Sequence, residues 1–386
     1  MALGQVFHTS TLFGVAAGRC VVAQCEPASV SNVFGPTLII GTGLIGASIG
    51  QCLTKQGVEV FLADADHSHA VVAASRGAGT VASPRPETVQ LVIVATPPSS
   101  AADAVVDALH RYPNATVTDV ASVKSSIESA VLAATAKRPD DARRYVGSHP
   151  MAGSQHAGPL TASPELFLDR TWVIVTRPDQ NPAAVAVVHA LVSLCEARTV
   201  SMDATTHDRA VAAVSHLPQL MASLTAARLL DDDPRDLTLA GQGVRDVTRI
   251  AASDTTMWRQ IVAANTDAVR SQLKAVQADL AALIEHLDDP AAVEDVLQRG
   301  RAGAAALPGK HGKAMSELES VVVQIPDTPG ALARLFADID RLGVNVEDLS
   351  IEHDPVREAG FLAVQVTPER AEPLAIALSD AGWLVQ

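Results

Sequence analysis

The chain has 386 residues, 48% hydrophobic and 19% charged, with a formal net charge of -14. That length points to two or three domains, and the composition supports a packed core, which excludes global disorder. The acidic balance excludes a nucleic-acid footprint and an anionic membrane surface as partners, so an anionic substrate must be caught by a few local Arg or His side chains.

Residues 1–35 show no hydrophobic period and read as a poorly ordered N-terminal extension. The β-prone run Thr37-Leu38-Ile39-Ile40 then enters Gly41-Thr42-Gly43-Leu44-Ile45-Gly46, a GxGxxG turn between a strand and a helix. Gly41 is expected to permit the tight turn, Gly43 to let a pyrophosphate approach the backbone, and Gly46 to let the helix pack on the strand. Thr42, Leu44 and Ile45 join them as cofactor-binding candidates, because the first helical turn aims unpaired N–H groups at the phosphates. Val58–Ala63 reads as a second strand ending in Asp64. An acid about twenty residues past the glycines bonds the ribose hydroxyls and favours NAD over NADP. Alternatively, Asp64 only begins a turn, and Asp66 or nothing takes that role.

Gln90–Pro98 reads as a buried parallel strand, and its end loop, with Thr96, lies on the ligand side of the sheet. A helix over Ala101–His110 precedes the strand from Thr116, which runs into a polar turn holding Ser122 and Lys124. Ser122 faces the cofactor side, caps the helix from Ser125, or does both. Tyr145–Pro150 is expected as another strand, inside the stretch Gly147-Ser148-His149-Pro150-Met151-Ala152-Gly153-Ser154-Gln155-His156-Ala157-Gly158. Small residues and a proline hold the His149 imidazole and let backbone approach a ligand. A neutral imidazole there suits removal of a hydroxyl proton as a hydride leaves for a nicotinamide. The plainer reading is a Gly-rich turn with a satisfied histidine. With strands at Thr171–Thr176 and Ala197–Ser201, residues 36–201 describe a Rossmann-type, doubly wound α/β domain.

Residues 202–301 carry helical periods and read as an all-helical substrate and dimerisation domain. His207-Asp208-Arg209 opens a helix, and Ser215 and His216 stand just before Pro218, which is expected to kink or interrupt it. Arg245 and Arg249 are spaced to share one helical face, a pattern suited to carboxylate capture. A solvated face, or pairing with Asp246 and Asp254, is the alternative. Residues 302–316 read as a linker, and 317–386 as a ferredoxin-like βαββαβ unit. The four cysteines, Cys20, Cys25, Cys52 and Cys195, show no CxxC spacing, which reads as a reducing, cytoplasmic protein with no disulfide frame and no metal site. No apolar run reaches the roughly 18 residues of a membrane span, and Thr9–Gln24 lacks the basic start of a signal peptide.

Over about residues 37–300 the chain resembles the prephenate and arogenate dehydrogenases of tyrosine biosynthesis, through GTGLIGAS, TDVASVK, GSHPMAGS, HDRAVAAVSHLP and GVRDVTRIAASD in that order. The resemblance implies NAD-linked oxidative decarboxylation, with His149 as acceptor or base for the ring hydroxyl and Ser122 orienting both. It further implies that Arg249 clamps a substrate carboxylate, with Ser215, His216 and Arg245 lining the pocket and His207 as a weaker, supporting candidate. Gln155 and Gln219 depart from the family's acid and histidine at those positions, and His156 is expected at the surface or the pocket rim. The tail resembles an ACT domain in IPDTPGALARLF, which implies an amino-acid effector such as tyrosine near Asp327, Pro329 and Gly330. A homodimer is expected, because the helical segment is too short for a core of its own. Arogenate as substrate is the close alternative, and a non-catalytic NAD and amino-acid sensor the distant one. A β-hydroxy-acid dehydrogenase is disfavoured, because no lysine lies between Thr205 and Ser271.

Overall fold

The computed structural model describes residues 34–153, 158–307, 318–326, 328–354 and 359–386; Gln155, His156, Asp327 and nearly all of the N-terminal extension fall outside them. The chain divides into two compact units. One takes the residues up to Val214 together with Gln219–Asn265; the other takes Ser215–Pro218 and Thr266–Gln386.

In the first unit, β1 (Thr37–Ile40), β2 (Val60–Ala63), β3 (Leu91–Val94) and β4 (Thr116–Asp119) form a parallel sheet in the order β2-β1-β3-β4. Helices α1 (Leu44–Lys55), α2 (His67–Ser75), α3 (Pro98–Arg111) and α4 (Ser125–Ala134) follow the four strands in turn. All of β3 is buried, and its side chains alternate between two cores. Leu91 and Ile93 pack with Trp172, Val188 and Leu191, while Val92 and Val94 pack with Val105, Leu109 and Val131. Each such aliphatic side chain contributes about 1.5–3 kcal/mol by leaving water. A strand buried on both faces requires this continuous apolar run.

After a short α5 (Pro139–Arg143), β5 (Ser148–Pro150), β6 (Thr171–Val175) and β7 (Arg198–Met202) form a separate three-stranded sheet. A bridge between Val117 and Tyr145 joins this sheet to β4. Within this sheet β5 runs antiparallel to β6. Among the described residues only two short 3₁₀ turns lie between them, and without a crossover helix the chain returns beside the strand it has left. Helix α6 (Pro182–Leu194) then makes a regular crossover to β7, which is parallel to β6.

The next helix starts as α7 (Ala204–Val211), widens into a π-turn at Ala212–His216 and continues as α8 (Leu217–Arg228). The interruption expected at Pro218 is thus a π-bulge, which absorbs the missing proline N–H without breaking the helix. The continuous run Ala204–Arg228 is, among the described residues, the one helix long and apolar enough to cross a membrane, against the expectation that no run is. Its first turns carry the buried polar pair His207 and Asp208, both bonded within the α/β unit. Helix α9 (Gln242–Thr248) leads through a 3₁₀ turn, Arg249–Ala252, to α10 (Thr255–Ala264). Ile261 of α10 joins the core that holds Leu109 and Val131.

The second unit holds two long helices, α11 (Thr266–Glu285) and α12 (Pro290–Ala305). The second of these runs on into the stretch read as linker. Beyond it come β8 (Glu319–Pro326), α13 (Ala331–Arg341), β9 (Asp348–Asp354), β10 (Ala359–Val366), α14 (Pro368–Asp380) and β11 (Leu384–Val385). The antiparallel sheet is ordered β11-β8-β10-β9. Ala331, Leu335 and Ile339, four residues apart on α13, pack on Val323, Leu362 and Val364 of the sheet.

Candidate active site

Three side chains form a line beginning at His149, the middle residue of β5. Ser148 and Pro150 on either side are buried and His149 is half-buried, as strand alternation requires. His149 Nδ1 lies 2.9 Å from His207 Nε2, and the rings meet edge to face with centroids 5.1 Å apart. His207 Nδ1 lies in turn 2.8 Å from Asp208 Oδ1. His207 is fully buried and Asp208 nearly so. The resemblance assigns the orienting place beside His149 to Ser122; at Nδ1 the structure puts His207. The signal for this was the His-Asp pair opening α7, whose meeting with His149 spans 58 residues of sequence.

A carboxylate only accepts hydrogen bonds, which assigns the tautomers along the line. Asp208 accepts from His207 Nδ1–H, so His207 Nε2 is an acceptor for His149 Nδ1–H. The basic lone pair of His149 then resides on Nε2.

Asp208 is held from several sides. Its Oδ1 accepts from the Lys124 backbone N–H at 2.8 Å and its Oδ2 from that of Ser125 at 2.8 Å, while Asn265 Nδ2 donates to its carbonyl at 2.7 Å. Burial alone would raise the Asp208 carboxyl, but the bonds from His207, Ser125 and Lys124 outweigh it and hold the group below the ordinary carboxylate range. This carboxylate also caps α4 from a distant part of the chain. Ser122 is not that cap: it lies half-buried in the bend after β4, and Lys124 occupies the N-cap position with no side-chain bond of its own.

Behind His149 lies a second buried group. Lys124 Nζ pairs with Asp119 and donates to the Ser148 carbonyl at 2.8 Å. Tyr145 Oη donates to the other Asp119 oxygen at 2.7 Å, and the Ala121 N–H donates to Oδ1 at 3.0 Å. Burial pushes the Lys124 ammonium down, opposed by Asp119, and burial followed by the Asp119 charge pushes the Tyr145 phenol well up. A lysine this deeply buried persists because its charge is paired and bonded. Its bond to Ser148, the residue before His149, fixes the strand that presents the imidazole.

The glycine-rich turn has the shape of a dinucleotide cradle. Gly41 has φ +95, and a Cβ there would meet the Ala95 carbonyl at 2.5 Å. A Cβ on Gly46 would meet the Gly41 carbonyl at 1.9 Å, whereas one on Gly43 meets nothing within 4 Å. The open space at Gly43 adjoins the N-terminus of α1, whose Leu44, Ile45 and Gly46 follow an N-cap without a side-chain bond. Asp64 Oδ2 accepts from Thr42 N at 2.6 Å and Thr42 Oγ1 at 2.8 Å, which ties the end of β2 to this loop. Asp66 instead caps α2 through Ser68. Thr96 Oγ1, past the end of β3, is buried without a partner. These features fit a bound dinucleotide: a bare backbone for pyrophosphate, an uncapped helix end, a carboxylate for ribose and an orphaned hydroxyl at the carboxyl edge of the sheet.

Arg245 lies in α9 and Arg249 in the following 3₁₀ turn, so the expected single α-helical face is split where the last turn tightens. Both are exposed, and among the described residues neither forms an ion pair. Asp246 accepts from Gln242 and Asp254 caps α10, so neither acid serves the arginines. Ser215 and a buried His216 end the π-turn, and Gln219 Nε2 donates to the Ile250 carbonyl beside Arg249 at 2.9 Å. In the tail, Pro329 and Gly330 are exposed, and Gly330 with φ +85 is the N-cap of α13. No group of three or more His, Cys, Asp or Glu side chains among the described residues could hold a metal ion.

Residues 49–201 match the family model for the prephenate dehydrogenase nucleotide-binding domain, and residues 203–298 the prephenate dehydrogenase dimerization domain. The chain is 36% identical over 359 residues to the protein named "Probable prephenate dehydrogenase NovF" of Streptomyces niveus, covering 90% of this chain and 98% of that one. It is 26% identical to the prephenate dehydrogenase of Lactococcus lactis subsp. cremoris, over 87% of this chain and 94% of the relative. Among solved structures, Aquifex aeolicus prephenate dehydrogenase in complex with hydroxyphenyl propionate and NAD+ superposes with a TM-score of 0.63 at 23% identity, over 70% of this chain and 97% of that one.

Proposed function

Because the chain belongs to the prephenate dehydrogenase family, we propose that it oxidatively decarboxylates prephenate to 4-hydroxyphenylpyruvate with NAD, in tyrosine biosynthesis. The observation that carries this reading is the line His149–His207–Asp208, which turns His149 Nδ1 toward a buried carboxylate in the same unit as a dinucleotide-shaped glycine turn. NAD, held by Gly41, Thr42, Gly43, Leu44, Ile45, Gly46, Asp64 and Thr96, supplies the hydride acceptor when bound.

The chain's own residues do the rest. His149 Nε2 takes the proton of the ring hydroxyl, and the charge that forms on its ring is stabilised through His207 by the Asp208 carboxylate. Ser122, in the bend after β4, faces the same hydroxyl. Arg249 and Arg245, exposed and without an ion pair among the described residues, bind the substrate carboxylates, which a chain of net charge -14 cannot attract as a whole. Ser215 and His216 are further substrate-binding residues by the family resemblance. Loss of the ring carboxylate as carbon dioxide aromatises the ring, so the protein has chiefly to position and polarise.

The helical segment after residue 202 pairs two copies in a homodimer, in keeping with the dimerization-domain match. The C-terminal βαββαβ unit is an ACT domain binding an amino-acid effector, tyrosine, near Asp327, Pro329 and Gly330; the strand order β11-β8-β10-β9 and the left-handed Gly330 entry to α13 support this. The reading places the enzyme in the cytoplasm. Purified enzyme assayed with prephenate and arogenate, each with NAD and NADP, tests the proposal. Prephenate with NAD should give the highest kcat/KM; faster turnover of arogenate would replace the substrate, and no turnover of either would refute the reading.

A further inference from the structure

Outside the candidate active site, two buried cysteines lie side by side. Cys52 is on the third turn of α1, and Cys195 is the C-cap of α6. Their solvent exposures are 4% and 2%, and both thiols are free. Both line one cavity of about 30 Å³, together with Lys55, Glu165 and Glu196. A wider cleft of about 550 Å³, lined by Lys55, Arg76 and Glu165 among others, opens next to it. The pair thus sits beneath a narrow opening that a molecule little larger than water can enter.

We propose that Cys52 and Cys195 are a peroxide-reactive pair that closes into a disulfide bridging α1 and α6. The roles of the two thiols differ. The neighbouring Cys195 thiol holds the Cys52 thiol below its ordinary value against burial and the Glu165 charge. The same contact, together with burial, pushes Cys195 well up. The Cys52 thiol donates to the Pro164 carbonyl at 3.1 Å, and Pro164 lines both cavities. Cys52, whose sulfur reaches Pro164 where the two cavities meet, attacks, and Cys195, lining only the smaller cavity, resolves.

The chemistry balances. The Cys52 thiolate attacks one oxygen of hydrogen peroxide, the O–O bond breaks, and the departing hydroxide takes the proton Cys52 released, giving water and a Cys52 sulfenic acid. Cys195 sulfur then attacks Cys52 sulfur, the S–O bond breaks, and the departing hydroxide leaves as a second water with the Cys195 proton. The peroxide gains two electrons and each sulfur loses one. A partner thiol lining the same small cavity favours this closure over further oxidation at Cys52.

The test uses the full, reduced chain. It is exposed to hydrogen peroxide, its remaining thiols are blocked with N-ethylmaleimide in denaturant, and it is digested without reductant for mass spectrometry. The expected product is one linked species joining the Cys52 and Cys195 peptides, released by dithiothreitol. In Cys195→Ser, dimedone should label Cys52; in Cys52→Ser, dimedone should leave Cys195 unlabelled. Recovery of Cys52 and Cys195 as maleimide adducts while Cys20 and Cys25 are oxidised would overturn the proposal. So would dimedone labelling of Cys195 in Cys52→Ser. If either variant fails to fold by circular dichroism, the linked peptide in the unaltered chain decides.

Discussion

Asp208→Asn is the most informative single change in the candidate active site. The carboxylate accepts from Lys124 N, Ser125 N and His207 Nδ1, each at 2.8 Å. Asparagine keeps one acceptor oxygen and turns the other position into a donor. With the amide oxygen at the Oδ2 position it keeps the Ser125 N–H, and the amide nitrogen at the Oδ1 position loses the Lys124 N–H and faces His207, whose proton then moves to Nε2. His207 in turn donates to His149 Nδ1, and the His149 proton moves to Nε2, the atom that has to accept from the substrate. Turnover should therefore fall about 10²–10⁴-fold, the usual contribution of a positioned general base, or ~2.7–5.5 kcal/mol of barrier. Stability should fall by only about 1.5–3 kcal/mol, one charge-assisted hydrogen bond. Formation of reduced nicotinamide measures turnover, and a binding titration measures NAD affinity. Affinity should be unchanged. A folded variant that keeps turnover within about threefold, well short of the general-base range, would refute the relay.

Further outcomes follow from the same geometry. Gly46→Ala sets a Cβ at 1.9 Å from the Gly41 carbonyl and should cost stability, whereas Gly43→Ala, with open space around it, should fold normally and weaken NAD binding; equal melting temperatures with equal NAD affinities would contradict this. Lys124→Met strands the Asp119 carboxylate in the core, so the melting transition should drop by the equivalent of about 3–5 kcal/mol, and Lys124→Met with Asp119→Asn should recover part of that. His149→Asn should keep NAD binding and lose most turnover; a variant that turns over normally would remove His149 from the chemistry. Asp208 is held below its ordinary value of 3.8, so its contribution to stability is complete above that pH and is lost as pH falls through the lower, folded value. Acid unfolding followed by circular dichroism should therefore begin below about pH 4, the unperturbed carboxylate range, with a shallower slope in Asp208→Asn.

Local features of the chain were legible in its sequence. The GxGxxG turn announces its fold within ten residues, because its constraints are steric and short-range: the left-handed Gly41 and the close approach at Gly46. The two-sided burial of β3 was equally plain in Leu91-Val92-Ile93-Val94. Pairings that close over long stretches were not. That Asp208 caps a helix 83 residues earlier, displacing Ser122 from that role, depends on where the chain brings α7. The antiparallel course of β5 depends on how the loop after it returns, which strand propensity does not encode. The π-turn at Ala212–His216 arises from Pro218 in a helix too well anchored to break, and proline alone signals only that something must yield.

The three-residue strand that presents His149 leaves its chemistry exposed to a change no side-chain scan would find. Ser148 pairs with Ile174, His149 with Val173 and Pro150 with Trp172. Inserting or deleting one residue between Tyr145 and His149 exchanges inner for outer positions along β5, turning the imidazole into the interior and the Ser148 hydroxyl toward the surface. A one-residue insertion between Tyr145 and His149 should therefore abolish turnover, whereas one after Pro150 leaves the β5 register as it is.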